Sequence, residues 1–290
     1  MASLKAIRRR IASVKSTQQI TRAMKLVAAA RLRRAQEALV ASRPYSHALA
    51  RVADSLLTSE GINVAPPEDA AKAALIVVIA SDRGLCGGYN SNLLRAAEEC
   101  RRAAEREGLS VGYFAVGKKA LDHFRRTRAP ISAQSVDNLP RLGTIGLARK
   151  IAARMLSDFQ SGAVSEASIV YTQFKSAISQ RPVFERLLPV ARPERPAGAP
   201  AAVPIDYLVE PSRAELVPVV LRSYLEAAVF NALLQAEASE QGARMTAMDS
   251  ATSNAIDMIA SYTLEMNRAR QAQITRELMD IVGGAEAMRG

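Results

Sequence analysis

"ALIVVIASDRGLCGGYNSN", residues 74–92, decides how the middle of the chain folds. The apolar run Ala74 to Ala80 has the length and the composition of a strand buried on both faces. Gly84, Gly87 and Gly88 follow, and a helix-compatible run begins at Asn90. Strand, glycine turn and helix is the outline of a phosphate-binding loop. Such a loop places Lys and then Ser or Thr after its last glycine, so that an ammonium and backbone N–H groups cradle phosphates. Here Tyr89 and Asn90 stand at those positions. The G-x-G-x-x-G dinucleotide pattern is missing too, and no acid at the right distance closes a second strand. The turn is therefore expected to hold no nucleotide. Its glycines are expected to let another backbone lie close, with a long terminal helix as the obvious neighbour.

Outward from this turn, residues 74–210 alternate in the manner of an α/β domain. Strands are expected at 74–80, 110–116, 167–174 and 183–190, and helices at 90–107, 117–127 and 144–160. The stretch 191–204, with Pro193, Pro196, Pro200 and Pro204, reads as a loop.

On either side the periodicity changes. Leu4, Ile7, Ile11, Val14, Gln18, Thr21, Met24, Ala28, Leu32, Ala35 and Leu39 recur at a mean step of about 3.5, the repeat of a left-handed coiled coil. No Gly precedes Gly61, and Pro44 is the only Pro before Pro66. One helix is expected from about residue 3 to the late fifties, bending near Pro44. Ser212-Arg213-Ala214-Glu215 reads as a capping box that opens a second long helix. Only Pro218 and Gly242 interrupt that run before Gly283-Gly284. Met245, Met248, Thr252, Ala255, Ile259, Tyr262, Met266 and Ala269 repeat the same spacing within it. Helices of roughly 80 and 100 Å, at 1.5 Å per residue, must pair with something equally long. The fold class is α/β: a long antiparallel coiled coil of the N- and C-terminal helices plus a central Rossmann-like α/β domain. The domains are 1–60 (coiled-coil helix), 74–210 (α/β) and 211–290 (coiled-coil helix).

Composition narrows the functions. Aromatics make up 4% and Trp is absent, which suits long helices more than stacked sheets. No run of about 18 apolar residues occurs, so no membrane span is expected. Residues 1–10 lack the apolar core of a signal peptide. Cys86 and Cys100 are too few for a disulfide framework and fit a reducing compartment. Of the net +11, residues 1–43 supply +10, from eleven Lys or Arg against Glu37. So local a basic stripe implies an acidic partner: nucleic acid, anionic lipid or an acidic protein surface. His47 and His123 are far apart, Cys86 has no nearby His, and no metal-ligand spacing occurs. Asp249, Asp257 and Glu265 fall on the outer faces of the last helix. No catalytic, cofactor-binding or metal residue is expected, and no cofactor. A nucleic-acid-binding coiled-coil protein is the main alternative, although no aromatic accompanies the basic residues of 1–43 for stacking. A nucleotide-using enzyme is the other, weakened by the missing Lys.

Three stretches taken together resemble one family, the γ subunits of F-type ATP synthases, which form the rotating central stalk. They are "IRRRIASVKSTQQITRAMKLVAAARLRRAQ" (7–36), "SDRGLCGGYNSNL" (81–93), and "ASEQGARMTAMDSATSNA" (238–255) followed by "NRARQAQITRELMDIVGGAEA" (267–287). The likeness spans the whole length and is closer to the bacterial or mitochondrial form than to the chloroplast form with its cysteine-bearing insert. It implies a non-catalytic rotor shaft that couples proton-driven rotation of the c ring to the conformational cycle of the β subunits, and so regulates ATPase activity and proton flow. The implied partners are three α and three β subunits, the ε subunit and the c ring, with room for δ and an inhibitor protein in the same complex. Nucleic acid is not among them. The implied place is peripheral, on the cytoplasmic face of the bacterial inner membrane.

The resemblance also carries positions. Arg270, Gln271, Thr275 and Glu277 match residues that meet a loop of the empty β subunit. Arg244 matches a position coupled to them, and Met24 a seam position next to that region. Arg83 and Cys86 match residues near the acidic C-terminal segment of β. The apolar tail "ELMDIVGGAEAM" (277–288) would be the shaft tip in its bearing.

Overall fold

The computed structural model describes residues 4–57, 65–135, 145–190, 210 and 212–288. In chain order the elements are α1 (Leu4–Leu57), β1 (Ala73–Ile79), α2 (Tyr89–Arg106), β2 (Ser110–Val116) and α3 (Lys118–Arg126). They continue with β3 (Ile131–Ser135), α4 (Ile145–Gln160), β4 (Glu166–Phe174), β5 (Gln180–Leu188) and α5 (Arg213–Ala287). Contacts gather the chain into two units. One joins Met1–Ala28 to Met245–Gly290, and the other is Ala29–Arg244.

The larger unit is built on one five-stranded sheet of order β3-β2-β1-β4-β5. Strands β1 to β4 are parallel, and β5 runs antiparallel to β4. Strand β1 is central, and its residues alternate between two cores. Leu75, Val77 and Ile79 face a cluster with α4 and with Leu221, Leu225, Val229 and Leu233 of α5. Ala74, Ile76 and Val78 face the second, with Leu93 and Ala97 of α2 and Leu121 and Phe124 of α3. Burial on both faces is why the strand reads as an unbroken apolar run rather than an alternating one. Tyr113 and Phe124 stack with ring centroids 3.9 Å apart.

In the smaller unit the two terminal helices run antiparallel. Thr252 donates its hydroxyl to Thr21 at 2.8 Å, and Lys25 meets Asp249 at 2.6 Å. Moving four residues up α1 thus moves three down α5. Every seam residue named above from Leu4 to Ala28 and from Met245 to Ala269 is buried or half-buried, whereas Asp249, Asp257 and Glu265 are exposed. The helix start at Ser212 is as expected: the Glu215 N–H donates to Ser212 Oγ at 3.3 Å, and that hydroxyl meets the Glu215 carboxylate at 2.9 Å.

Several expectations are corrected. Strand β3 was not anticipated: "ISAQS" is a short edge strand with a half-polar pattern and little β propensity. Strand β5 begins at Gln180 and ends at Leu188 instead of spanning 183–190, because an edge strand tolerates polar residues and Pro189 offers no N–H for pairing. Helix α5 runs through Gly283-Gly284 to Ala287. Helix α5 also carries an 18-residue window of mean hydropathy 1.4, apolar enough by composition to cross a membrane. Of that window, 28% is buried within the chain. The proposed 191–204 loop lies outside the described residues.

Candidate functional site

The crevice at the C-terminal ends of β1 and β4 is where an α/β sheet of this type offers a ligand site. Strand order reverses there, since β2 and β3 lie to one side of β1 and β4 to the other. The turn 81–88 leaves β1 at that crevice, and the register that pairs Val78 with Val170 brings Ser81 and Thr172 to the same end.

Here about two and a half turns of α5, from Gln235 to Arg244, line the crevice. The Tyr89 hydroxyl donates to the Ala236 carbonyl at 3.3 Å, and the Ser239 hydroxyl donates to the Thr172 carbonyl at 2.9 Å. Glu240 holds Arg244 at 2.6 Å, and the other terminal nitrogen of Arg244 donates to the carbonyls of Arg83 and Gly84, each at 3.3 Å. Gln235 accepts from the Phe174 N–H at 3.1 Å. Tyr89, Ser239, Glu240 and Arg244 are all buried. Where a phosphate loop would carry its Lys, the chain turns inward: Asn90 accepts from the Ser81 N–H at 3.1 Å and donates to the Cys86 sulfur at 3.2 Å.

The glycines do not do what the sequence suggested. A Cβ on Gly84 would meet nothing within 4 Å, and one on Gly88 would meet only the side chain of Asn92. Gly87 is needed for its positive φ of 57°. The close approach occurs instead at Gly242, inside α5. A Cβ there would stand 3.4 Å from the Ala177 Cα, the Gln180 Nε2 and the Phe174 ring. What reads as a helix breaker is the point where α5 passes the β4–β5 hairpin.

Burial sets the electrostatics of this socket. Desolvation pushes the Glu240 carboxyl up, and the Arg244 guanidinium beside it pulls back down. Glu237, one turn earlier, is raised to about 7, mainly by burial and next by Glu240, with Arg31 opposing. Burial also raises the Cys86 thiol and the Tyr89 phenol, so neither ionises readily.

The remaining expected positions are placed as follows. Arg83 is exposed on the turn, while Cys86 is 2% exposed and anchors the turn from inside. The turn thus brings Arg83, Cys86 and Arg244 together. Arg270, Gln271, Thr275 and Glu277 are all exposed near the end of α5, with Glu277 accepting from Gln273 at 2.8 Å. Met24 does not neighbour them. It lies one turn from Thr21, whose partner Thr252 precedes Arg270 by some 27 Å of helix at 1.5 Å per residue. Glu240, Ser239, Tyr89 and Gly242 escaped the sequence reading. The Glu-Arg pair four apart, set among Ala, Ser and Gly in "ASEQGAR", was the available signal. Among the described residues no cluster of His, Cys, Asp and Glu has the makings of a metal site.

Comparison with known proteins agrees with this architecture. A family model described as ATP synthase matches residues 3–288. The ATP synthase gamma chain of Moorella thermoacetica is 45% identical over 293 residues, covering 100% of both chains. That of Geobacter metallireducens is 44% identical over 292 residues, again covering 100% of both. Among solved structures, a central-stalk and c-ring structure of the Tetrahymena thermophila mitochondrial ATP synthase gives a TM-score of 0.60 at 28% identity, covering 80% of this chain and 99% of that one. An F1/c-ring structure of the Euglena gracilis mitochondrial enzyme shares the fold, with a TM-score of 0.69 at 21% identity over 98% of this chain and 94% of that one. With both terminal helices and the sheet included in full-length matches, the chain belongs to the ATP synthase gamma-chain family.

Proposed function

We propose that this chain is the central shaft of a proton-translocating F-type ATP synthase, turning with the c ring and driving the catalytic β subunits through their cycle. It carries no catalytic group of its own. The observation that supports this best is the unfinished end of α5. Residues 270–285 are exposed, and Ile274, Leu278, Met279 and Ile281 each expose half or more of their surface. An apolar helix end of that size calls for a bearing supplied by other subunits. Family membership over the full length supports reading those subunits as the other subunits of an ATP synthase.

In this reading three α and three β subunits surround the coiled coil, and the sheet unit binds ε and the c ring, with δ and any inhibitor elsewhere in the same complex. The complex sits on the cytoplasmic face of the inner membrane. Arg270 and Gln271, with Thr275 and Glu277, meet one β loop, and Arg83 meets the acidic β segment. Most of the basic side chains of 1–43 are exposed, which suits an acidic surrounding, although exposed ion pairs are individually weak. Physically, coupling requires that the shaft contact each β conformation differently.

Reconstitution tests this directly. The chain should assemble with α and β subunits of a bacterial relative, and adding ε and the c ring in vesicles should yield ATP-driven proton pumping. Assembly without any dependence of pumping on this chain would refute the shaft role.

A further inference from the structure

We propose that the half-open cavity between α1, the β4–β5 hairpin and α5 binds a small zwitterion with an apolar body, such as a short peptide. Glu185 holds its ammonium group, and Arg43 and His47 hold its carboxylate.

The cavity has a volume of about 500 Å³ and lies wholly within the larger unit. That is the size of an ordinary ligand pocket. Helix periodicity builds two of its walls. Leu39, Arg43 and His47 follow one another at four-residue steps on one face of α1, and Tyr224 and Ala228 do the same on α5. The small side chains of Ala50, Ala227 and Ala228 leave room there that larger ones would fill. The hairpin closes the third side with Phe174 and Glu185. Leu39 and the two aromatic rings give the apolar part of the lining.

Glu185 is the group in need of a partner. It stands on β5 opposite Ile169, and its Oε2 accepts from the Tyr171 hydroxyl at 3.3 Å. Burial pushes its carboxyl above the ordinary value, the Tyr171 hydrogen bond opposes this, and no cation contributes. Tyr224 shares that corner, since burial and then the Glu185 charge raise its phenol. A carboxylate partly stripped of water and left without a cation is costly, and an ammonium group in the cavity would relieve the cost. Aromatic rings beside it suit the same group.

The α1 wall offers donors instead. Arg43 and His47 are exposed one turn apart, and neither meets a carboxylate among the described residues. An anion between them would gain charge-assisted hydrogen bonds. Since neither acts on Glu185, acceptor and donors are held apart across the cavity rather than satisfying each other. A simple cation or anion would satisfy one wall and face the wrong groups on the other. A ligand with one charge at each end satisfies both.

The test is calorimetry on the full chain with alanyl-phenylalanine as the probe. Its N-acetyl form lacks the ammonium group, and its C-terminal amide lacks the carboxylate. The free dipeptide should bind, and blocking either end should weaken binding by about tenfold or more, as loss of a charge-assisted hydrogen bond does. Glu185→Gln should weaken the free dipeptide to the same degree and erase the effect of acetylation, while Arg43→Gln should erase much of the effect of amidation. Glu185→Gln keeps an acceptor for Tyr171, and the comparison of blocked forms on the parent chain needs no variant. No binding at millimolar dipeptide overturns the proposal, as does equal binding of all three forms. Discrimination at one end alone overturns the zwitterion. Discrimination that survives both substitutions puts the ligand elsewhere on the chain, and the cavity assignment falls.

Discussion

Two stretches of the same helix, 232–244 and 270–282 of α5, use similar residues to opposite ends. In the first, Glu240 and Arg244 are each 8% exposed, and their charges are matched to each other and to two carbonyls. In the second, Arg270 and Glu277 are exposed, and Ile274 and Leu278 stand in water. The first stretch is completed by its own chain, so its polar groups determine stability. The second is completed by nothing among the described residues, so its groups bear on function only once other subunits arrive. Polar residues of one helix therefore change meaning within about ten turns, and no feature of the helix itself announces the change.

The contrast can be broken most sharply at Glu240. Glu240→Leu strands the buried Arg244 guanidinium and should cost about 3–5 kcal/mol in denaturant unfolding of the free chain. A loss below 1 kcal/mol would mean that the socket is not closed. Gly242→Val should come next, at roughly 1–3 kcal/mol, because branched carbons would press on the Ala177 backbone and the Phe174 ring. Gly242→Ala separates the terms, since helix propensity favours Ala by about 1 kcal/mol while its single Cβ only touches these neighbours.

A smaller effect is the pH response of the socket. Glu237 is raised in the folded chain to about 7 from an ordinary 4.5, so the folded state holds its proton more tightly. That stabilisation is present below about pH 4.5 and is lost as pH rises through about 7. The melting temperature should fall by a few degrees between pH 5.5 and 8, and Glu237→Gln should flatten the change. The smallest stability effect belongs to the other stretch. Arg270→Ala with Gln271→Ala should shift unfolding by less than about 0.5 kcal/mol, as surface changes do, yet slow ATP turnover in the assembled complex. Equal turnover in mutant and parent would remove the pair from the coupling contact.

Much of this was legible from residues. The seam from Leu4 and the seam from Met245 were readable because periodicity survives any detail of packing. Strand β1 was readable because burial on both faces demands an unbroken apolar run. Strand β3 was not, since five residues at a sheet edge need no strong pattern. The missing Lys of the 81–88 turn was legible, and the structure shows what Asn90 does in that place, bonding inward to Ser81 and Cys86. The turn's neighbour is the expected long terminal helix, α5, which reaches it through Arg244. The close approach, however, falls at Gly242 rather than at the turn's glycines, because it depends on where the β4–β5 hairpin arrives. Glu240 shows the same limit: an Arg four residues away looks like an ordinary surface pair until the sheet is known to cover it.

The filled crevice has a bearing on chemical intervention. A compound aimed at the sheet's natural ligand position would compete with Tyr89, Ser239 and Arg244 for their own hydrogen-bond partners, and could enter only by prising α5 out. Any nucleotide-like compound would face the same competition at that end of the sheet. Drugs against it would have to be found at its surfaces.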